Sequence, residues 1–296
     1  MSSKDVPVRW GQARRLAFID ARLQFDGRIN RKDLIEFFGI SVPQASADIG
    51  EYLSAAPGNA VYDPSVRSYL ATPTFQAVSG RSSALHYLFE LYGLARGAIS
   101  ADECFVGYVP PTGIVSSPSR SICVDEVARW VRACRDRSIV GCTYQSMEEE
   151  GPKAVRLSPH ALGFDGLRWH IRAYCHERMI FRDFAIGRLG IQIVEEGDSH
   201  VDPREDVGWT TLVEVVLVPH PKLGRLQREA VARDYGMSSD RHVLTCQKAM
   251  LFYTLRHLNL ESLSVSERAA EQHVIVENVE QVKRWMEEDR AGIQGL

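Results

Sequence analysis

The densest run of ligand-recognising side chains is Arg168-Trp169-His170-Ile171-Arg172-Ala173-Tyr174-Cys175-His176, followed closely by Phe181-Arg182-Asp183-Phe184 and Arg188. Between residues 156 and 190 six arginines (156, 168, 172, 178, 182 and 188) meet only three acids, Asp165, Glu177 and Asp183, so the stretch is locally basic. Planar guanidinium groups grip phosphate through paired N–H donors, and Tyr174 or Trp169 offers a face on which a base can stack. That chemistry suits a nucleotide or a single-stranded nucleic acid. The same run contains Cys175, with His176, His160 and Asp183 as the partners a thiol nucleophile would need. Adjacent strand residues point to opposite faces, so Cys175 and His176 do not ordinarily pair, and no catalytic residue is assigned.

A second set lies nearer the N-terminus. Ser41-Val42-Pro43-Gln44 combines a Ser cap, Pro in the first turn and Gln at the third position, a capping-box start for a helix. Its inward stripe is Ala45, Ile49 and Leu53, which leaves Gln44, Ser46, Ala47 and Asp48 outward. Gln44 can pair with both hydrogen-bonding groups of adenine, Ser46 can bond either kind of base edge, and Ala47 can touch a thymine methyl.

The elements that must position these groups are short. A helix over Arg9–Gln24 buries Ala13, Leu16, Ala17, Ile19 and Leu23 and leaves Arg14, Arg15 and Arg22 off that stripe. Asp26-Gly27 breaks it, Asn30 caps a second helix with Asp33 near its third position, and Gly39 stops that helix. Two short helices around a tight Gly turn form the helix-turn-helix pattern. Ala60–Tyr62, a turn at Asp63-Pro64-Ser65, and Val66–Leu70 then make a wing. The DNA-facing set is Arg14, Arg15, Ser41, Gln44, Ala45, Ser46, Ala47, Arg67 and Tyr69. No Lys or Arg lies between Lys32 and Arg67, so the first helix must supply phosphate contacts. The same spacing also fits a protein-interaction module. A further helix with Leu85, Leu88, Leu91 and Leu94 on a wide apolar face, ended by Gly97, suits either a dimer contact or burial against its own domain.

With 296 residues, 45% apolar and 25% charged, the chain has room for two or three globular domains, and its net charge of −3 excludes a generally basic nucleic-acid binder. Pro110 to Ser119 is a linker by composition, and Glu195–Gly208 is a second break. The expected blocks are 1–97, a linker over 98–120, 121–200 and 206–296. The middle block reads as a helix over Val124–Arg137 and strands at Ile139–Tyr144, Ala154–Leu162, Leu167–Cys175, Met179–Ile186 and Arg188–Val194, a small closed or nearly closed barrel. The last block alternates strands and helices, with eight acidic and four basic residues over 261–290. Six cysteines carry no C-x-x-C pair, and the usual nucleotide, metalloprotease and hydrolase signatures are missing, so neither a metal nor a cofactor is expected. The N-terminus has no signal-type apolar run, which points to the cytoplasm and to no membrane partner.

The run from Arg168 to His176, with Phe181-Arg182-Asp183-Phe184, Arg188-Leu189, Tyr144-Gln145-Ser146 and Leu157-Ser158-Pro159-His160, resembles the WYL domain. The name-giving Trp-Tyr-Leu stands here as Trp169-His170-Ile171, with Trp169 and Ile171 expected to pack and His170 to face outward. The full block order resembles the BrxR/CapW group of regulators of phage-defence loci. The resemblance implies an Sm-like, SH3-type barrel, a ligand of the nucleotide or nucleic-acid class, and a C-terminal extension that contacts the partner subunit. The candidate ligand residues are then Tyr144, Ser146, His160, Trp169, Arg172, Tyr174, His176, Arg182 and Arg188. The expectation is a multidomain α+β homodimer, a repressor that reads an inverted-repeat operator in double-stranded DNA and senses a ligand. The alternatives are a nucleic-acid-binding effector acting through the barrel alone, and a Cys/His enzyme.

Overall fold

The computed structural model describes residues 10–118, 122–190 and 194–294, and the chain divides into two compact units between Ser116 and Ser117. The first unit contains α1 (Trp10–Asp26), β1 (Arg28–Ile29), α2 (Arg31–Phe38), α3 (Val42–Ala55), β2 (Ala60–Asp63), β3 (Ser68–Ala71) and α4 (Ala84–Arg96). The helix signals act where the sequence places them. Asn30 Oδ1 accepts from the Asp33 amide at 3.1 Å while Asp33 Oδ2 accepts from the Asn30 amide at 2.7 Å, a complete capping box. Gly39 closes α2 at φ 63°, a left-handed conformation that a side chain would strain. The three strands pair antiparallel in the order β1-β3-β2, which makes the wing.

Around Phe18, Ile19, Leu23, Leu34, Ile49 and Tyr52 the helices share one core. Helix α1 is buried on more than its expected stripe, for it packs against both α3 and the turn at Gly80–Ser82. Asp20 is therefore fully buried, and it accepts from Tyr52 Oη at 2.7 Å, the amides of Val78 and Ser79, and the Ser82 hydroxyl. A buried carboxylate is tolerated only with its acceptor sites filled in this way. Cys104, Phe105 and Val106, which fall in the expected linker block 98–120, are buried too. Phe105 sits edge-on to Phe18 at 5.3 Å, and its amide donates to Glu90 Oε2 at 3.0 Å. Gly107 lets this strap lie on α1, since a Cβ there would fall 1.9 Å from both Arg22 Nη1 and Asp26 Oδ2.

The second unit begins with α5 (Val124–Asp136), β4 (Ser138–Tyr144), β5 (Lys153–Phe164), β6 (Trp169–Cys175), β7 (Ile180–Ala185) and β8 (Val194–Asp198). These strands form an antiparallel sheet in the order β7-β6-β5-β4-β8 around Trp130, Val140, Leu157, Ile171 and Phe184. Among the described residues the sheet is open, with β7 and β8 at its two edges, where a closed or nearly closed barrel was expected. The fifth strand lies at Val194–Asp198 instead of Arg188–Val194, because Ile186–Arg188 turns as a 3-10 helix; residues 191–193 lie outside the described residues.

The unit continues with α6 (Val207–Thr210), β9 (Leu212–Pro219), α7 (Arg225–Asp234), β10 (His242–Gln247), α8 (Leu251–His257), β11 (Val274–Val276) and α9 (Val279–Gln294). Its sheet runs β10-β9-β11 and packs Val215 and Leu217 against Leu251, Leu255 and Val282. Helix α9 also packs on the edge strand β7. No helix among the described residues is long and apolar enough to cross a membrane.

Candidate nucleic-acid interface and ligand cavities

In the first unit the N-terminal turn of α3 presents Ser41, Gln44, Ser46 and Ala47 to solvent. Ala45 is fully buried, so its side chain belongs to the core and leaves the DNA-facing set. Asp48, read as outward, is also fully buried. Arg15 on α1 draws it in, with Nε 2.6 Å from Oδ2 and Nη2 3.2 Å from Oδ1. Gln44 Nε2 donates to the same Oδ1 at 3.0 Å. The capping box expected at Ser41 is consequently half formed: Ser41 Oγ accepts from the Gln44 amide at 3.4 Å, but the Gln44 side chain goes forward to the carboxylate. Arg15 is committed to this ion pair, and Arg14 lies with its guanidinium 5.8 Å over the Phe105 ring, so α1 does not hold two open phosphate contacts as expected.

Arg67 is exposed in the wing turn at φ 50°, and in the same turn the Asp63 carboxylate accepts from the Ser65 amide and hydroxyl. Tyr69 is half-buried against Tyr62, with ring centroids 5.1 Å apart. The cation that sequence reasoning passed over is Arg31. It opens α2, is exposed, and places Nη1 3.5 Å from Ser46 Oγ. The available signal was the helix-turn-helix itself, which brings the start of the first helix beside the start of the second.

In the second unit the expected ligand residues fall on two faces of the sheet. Arg172 pairs across strands with Asp183, and Tyr174 with Phe181, so these four share the face that turns to α8 and α9. They line a cavity of about 740 Å³ together with Lys248 and Tyr253. His160 and His176 belong to this side. His160 Nε2 is 2.9 Å from Asp206 Oδ2, and His176 Nε2 is 2.7 Å from Ser158 Oγ. The opposite face opens into a cavity of about 500 Å³ that includes Tyr144, Ser146, Arg182, Phe184 and Arg188. Arg182, on the edge strand, lines both. Neither Arg182 nor Arg188 forms an ion pair among the described residues.

A buried polar chain joins the first face to the elements beyond it. Arg172 donates Nε and Nη2 to Asp206, and Nη1 lies 3.3 Å from Asp183 Oδ1. Asp183 Oδ2 accepts from Tyr253 Oη on α8 at 3.3 Å. Burial alone would raise the Asp206 carboxyl, but the bonds from Arg172 and then His160 bring it down to about 2. Among the described residues Cys175 makes no bond to His160, His176 or Asp183. Cys175 is buried, its thiol pushed up by that burial, and its nearest acidic oxygen belongs to Glu177 at 3.6 Å.

Comparison with known proteins matches three family descriptions in order. The BrxR transcriptional regulator winged helix-turn-helix domain covers residues 11–92, the WYL domain 126–192 and the BrxR C-terminal dimerization domain 212–282. A DNA-binding transcriptional repressor CapW of Stenotrophomonas maltophilia is 59% identical over 295 residues, covering 100% of this chain and 99% of its own. The chain belongs to the CapW family. The CapW repressor of Pseudomonas aeruginosa is 41% identical over 93% of this chain and 92% of its own. That of Escherichia coli strain KTE188 is 42% identical over 86% and 84%.

Within this CapW-family chain the WYL positions separate by environment. Ile171 is fully buried in the core as expected. Trp169 is not packed inward: it is 45% exposed at the far end of β6 and tilts against Phe164 at 5.0 Å, away from both cavities. His170, expected outward, is buried. Its Nε2 lies 2.9 Å from Asp165 Oδ2 and its ring rests on Tyr253 at 5.2 Å, because α8 covers that face.

Proposed function

We propose that this CapW-family chain is a homodimeric, sequence-specific repressor of a phage-defence locus. It reads an inverted-repeat operator with α3 and the wing, and a nucleotide or single-stranded nucleic acid bound at the WYL unit changes its affinity for DNA. Cytoplasmic placement follows from access to DNA. The observation that carries this reading is the exposed first turn of α3, where Gln44, Ser46 and Ala47 sit beside Arg31 in a winged helix. The C-terminal dimerization match supports pairing, and two-fold pairing sets two reading heads against two half-sites. Support for ligand sensing comes from Arg182 and Arg188 with Tyr144 around the smaller cavity.

The test is binding of full-length protein to duplex DNA from its own upstream region against a scrambled duplex, with Gln44→Ala and Ser46→Ala beside wild type. Preference for the native duplex that falls in both variants is the expected result; equal binding to both duplexes overturns the reading. Repeating the titration with saturating nucleotide, and separately with a short single-stranded oligonucleotide, tests sensing. A ligand can shift the equilibrium only by its difference in affinity for the two states, so unchanged operator affinity with both probes bound removes the switch.

A further inference from the structure

The geometry points to Asp48 as a positioning residue that makes Gln44 select adenine over guanine, an inference that rests on α3 being the DNA-reading helix. A glutamine amide is ambiguous by itself. Turned one way it offers an acceptor and a donor, which match the N6 amino group and N7 of adenine. Left free, its NH2 group can instead send both hydrogens to the two acceptors of guanine, O6 and N7.

Asp48 removes that freedom. Its carboxylate is fully buried and held by two bonds from Arg15, at 2.6 Å and 3.2 Å, so it acts only as an acceptor. Oδ1 lies 3.0 Å from Gln44 Nε2. Rotating the Gln44 amide by a half turn would set Oε1 against a carboxylate oxygen, a contact between two acceptors, so the orientation is fixed by chemistry. One N–H of Gln44 is thereby used inside the protein. What remains at the exposed tip is Oε1 and a single N–H, the acceptor-donor pair complementary to adenine and mismatched to the two acceptors of guanine. Arg15 on α1 bonds the carboxylate directly and holds it in place, so a residue that never reaches the base edge sets which base is read.

Selection from a randomised duplex library by the full-length chain tests this. Wild type is expected to enrich a motif with one adenine whose preference disappears in Gln44→Ala. At that position guanine should lower wild-type affinity roughly 5- to 150-fold, the range of one good two-bond contact. In Asp48→Asn, which keeps shape but can turn a donor toward Gln44, the adenine-to-guanine ratio should narrow to within about threefold while preferences at other positions persist. A merely structural role for Asp48 would weaken all positions together. For a readout independent of the variant's folding, wild type is titrated with duplexes carrying 7-deazaadenine or purine at the selected position. Each lacks one partner of the pair, and each should reduce affinity. Enrichment of no motif overturns the DNA-reading assignment itself. A motif lacking a Gln44-dependent adenine, indifference to both base analogues, or an unchanged ratio in folded Asp48→Asn overturns this inference alone.

Discussion

Arg172 on β6 and Asp206 at the start of α6 meet through two parallel bonds, Nε to Oδ2 at 2.8 Å and Nη2 to Oδ1 at 2.9 Å, with both residues buried. The pair joins the five-stranded sheet to the elements that follow it across 34 residues of sequence. Replacing one partner leaves a buried charge without its counterpart, so Arg172→Ala and Asp206→Ala should each lower unfolding stability by about 3–5 kcal/mol. Urea denaturation measures this. A loss below about 1 kcal/mol in both variants would mean that the pair is solvated and does not bolt the elements together.

The same carboxylate makes the second unit acid-sensitive in a defined window. Asp206 is depressed from 3.8 to about 2 in the folded chain: burial raises it most as a single cause, but the bonds from Arg172 and His160, the charge of Arg172 and the Trp209 amide together outweigh burial. An unfolded chain therefore binds this proton first as pH falls, and the stability that Asp206 contributes is complete above about pH 4 and lost on approach to about pH 2. Thermal unfolding from pH 7 to pH 2.5 should show that decline, with a flatter profile in Asp206→Asn. Parallel profiles would show that the pair does not titrate with folding.

His170→Phe should destabilise the chain by about 1–3 kcal/mol, since it removes a buried partner of Asp165 while keeping the ring against Tyr253. The loss stays moderate because the backbone amides of Leu167 and Arg168 still donate to the other oxygen, Oδ1. Operator affinity should follow stability only, and a specific loss of ligand response would place this position in the sensing site.

Arg182→Ala should leave stability within about 0.5 kcal/mol, for the guanidinium has no ion pair among the described residues. Affinity for a short single-stranded oligonucleotide should fall roughly tenfold, as expected on losing one charge-assisted bond. Fluorescence anisotropy measures it, and unchanged affinity would move the ligand away from the cavities this residue borders.

Gly107→Ala should cost about 1–3 kcal/mol in the first unit, because the new methyl lands on the Arg22–Asp26 ion pair and lifts the Phe105 strap. Thermal unfolding of the full chain followed by tryptophan-independent circular dichroism would register it. Full stability would mean that the pair moves aside freely.

Local signals in the sequence were legible where a few neighbouring residues decide the outcome. Asn30, Asp33 and Gly39 bound α2 as their chemistry dictates, and Ile171 falls in the core on strand alternation. The misreadings share a cause, which is a partner distant in sequence. Asp48 turns inward for Arg15, 33 residues away, and His170 is covered by Tyr253 on α8. Phe105 looks like linker until the aromatic rings of α1 and α2 are placed beneath it. The sequence leaves open which side chains of β6 and β7 converge, and the folded sheet shows that the edge position of Arg182 opens it to both cavities.

Helix α3 carries no Lys or Arg; Arg31 reaches its Ser46, and Arg28, Lys32 and Arg67 are exposed on β1, α2 and the wing turn. Each phosphate neutralised releases close to one condensed counterion, so contacts from these four side chains would give a dependence of log affinity on log salt of roughly −4 per reading head. Such a reader draws much of its discrimination from base edges and little from the charged backbone. It should dwell briefly on random genomic DNA, and its occupancy of a true site should survive changes of cellular ionic strength that dislodge more basic proteins.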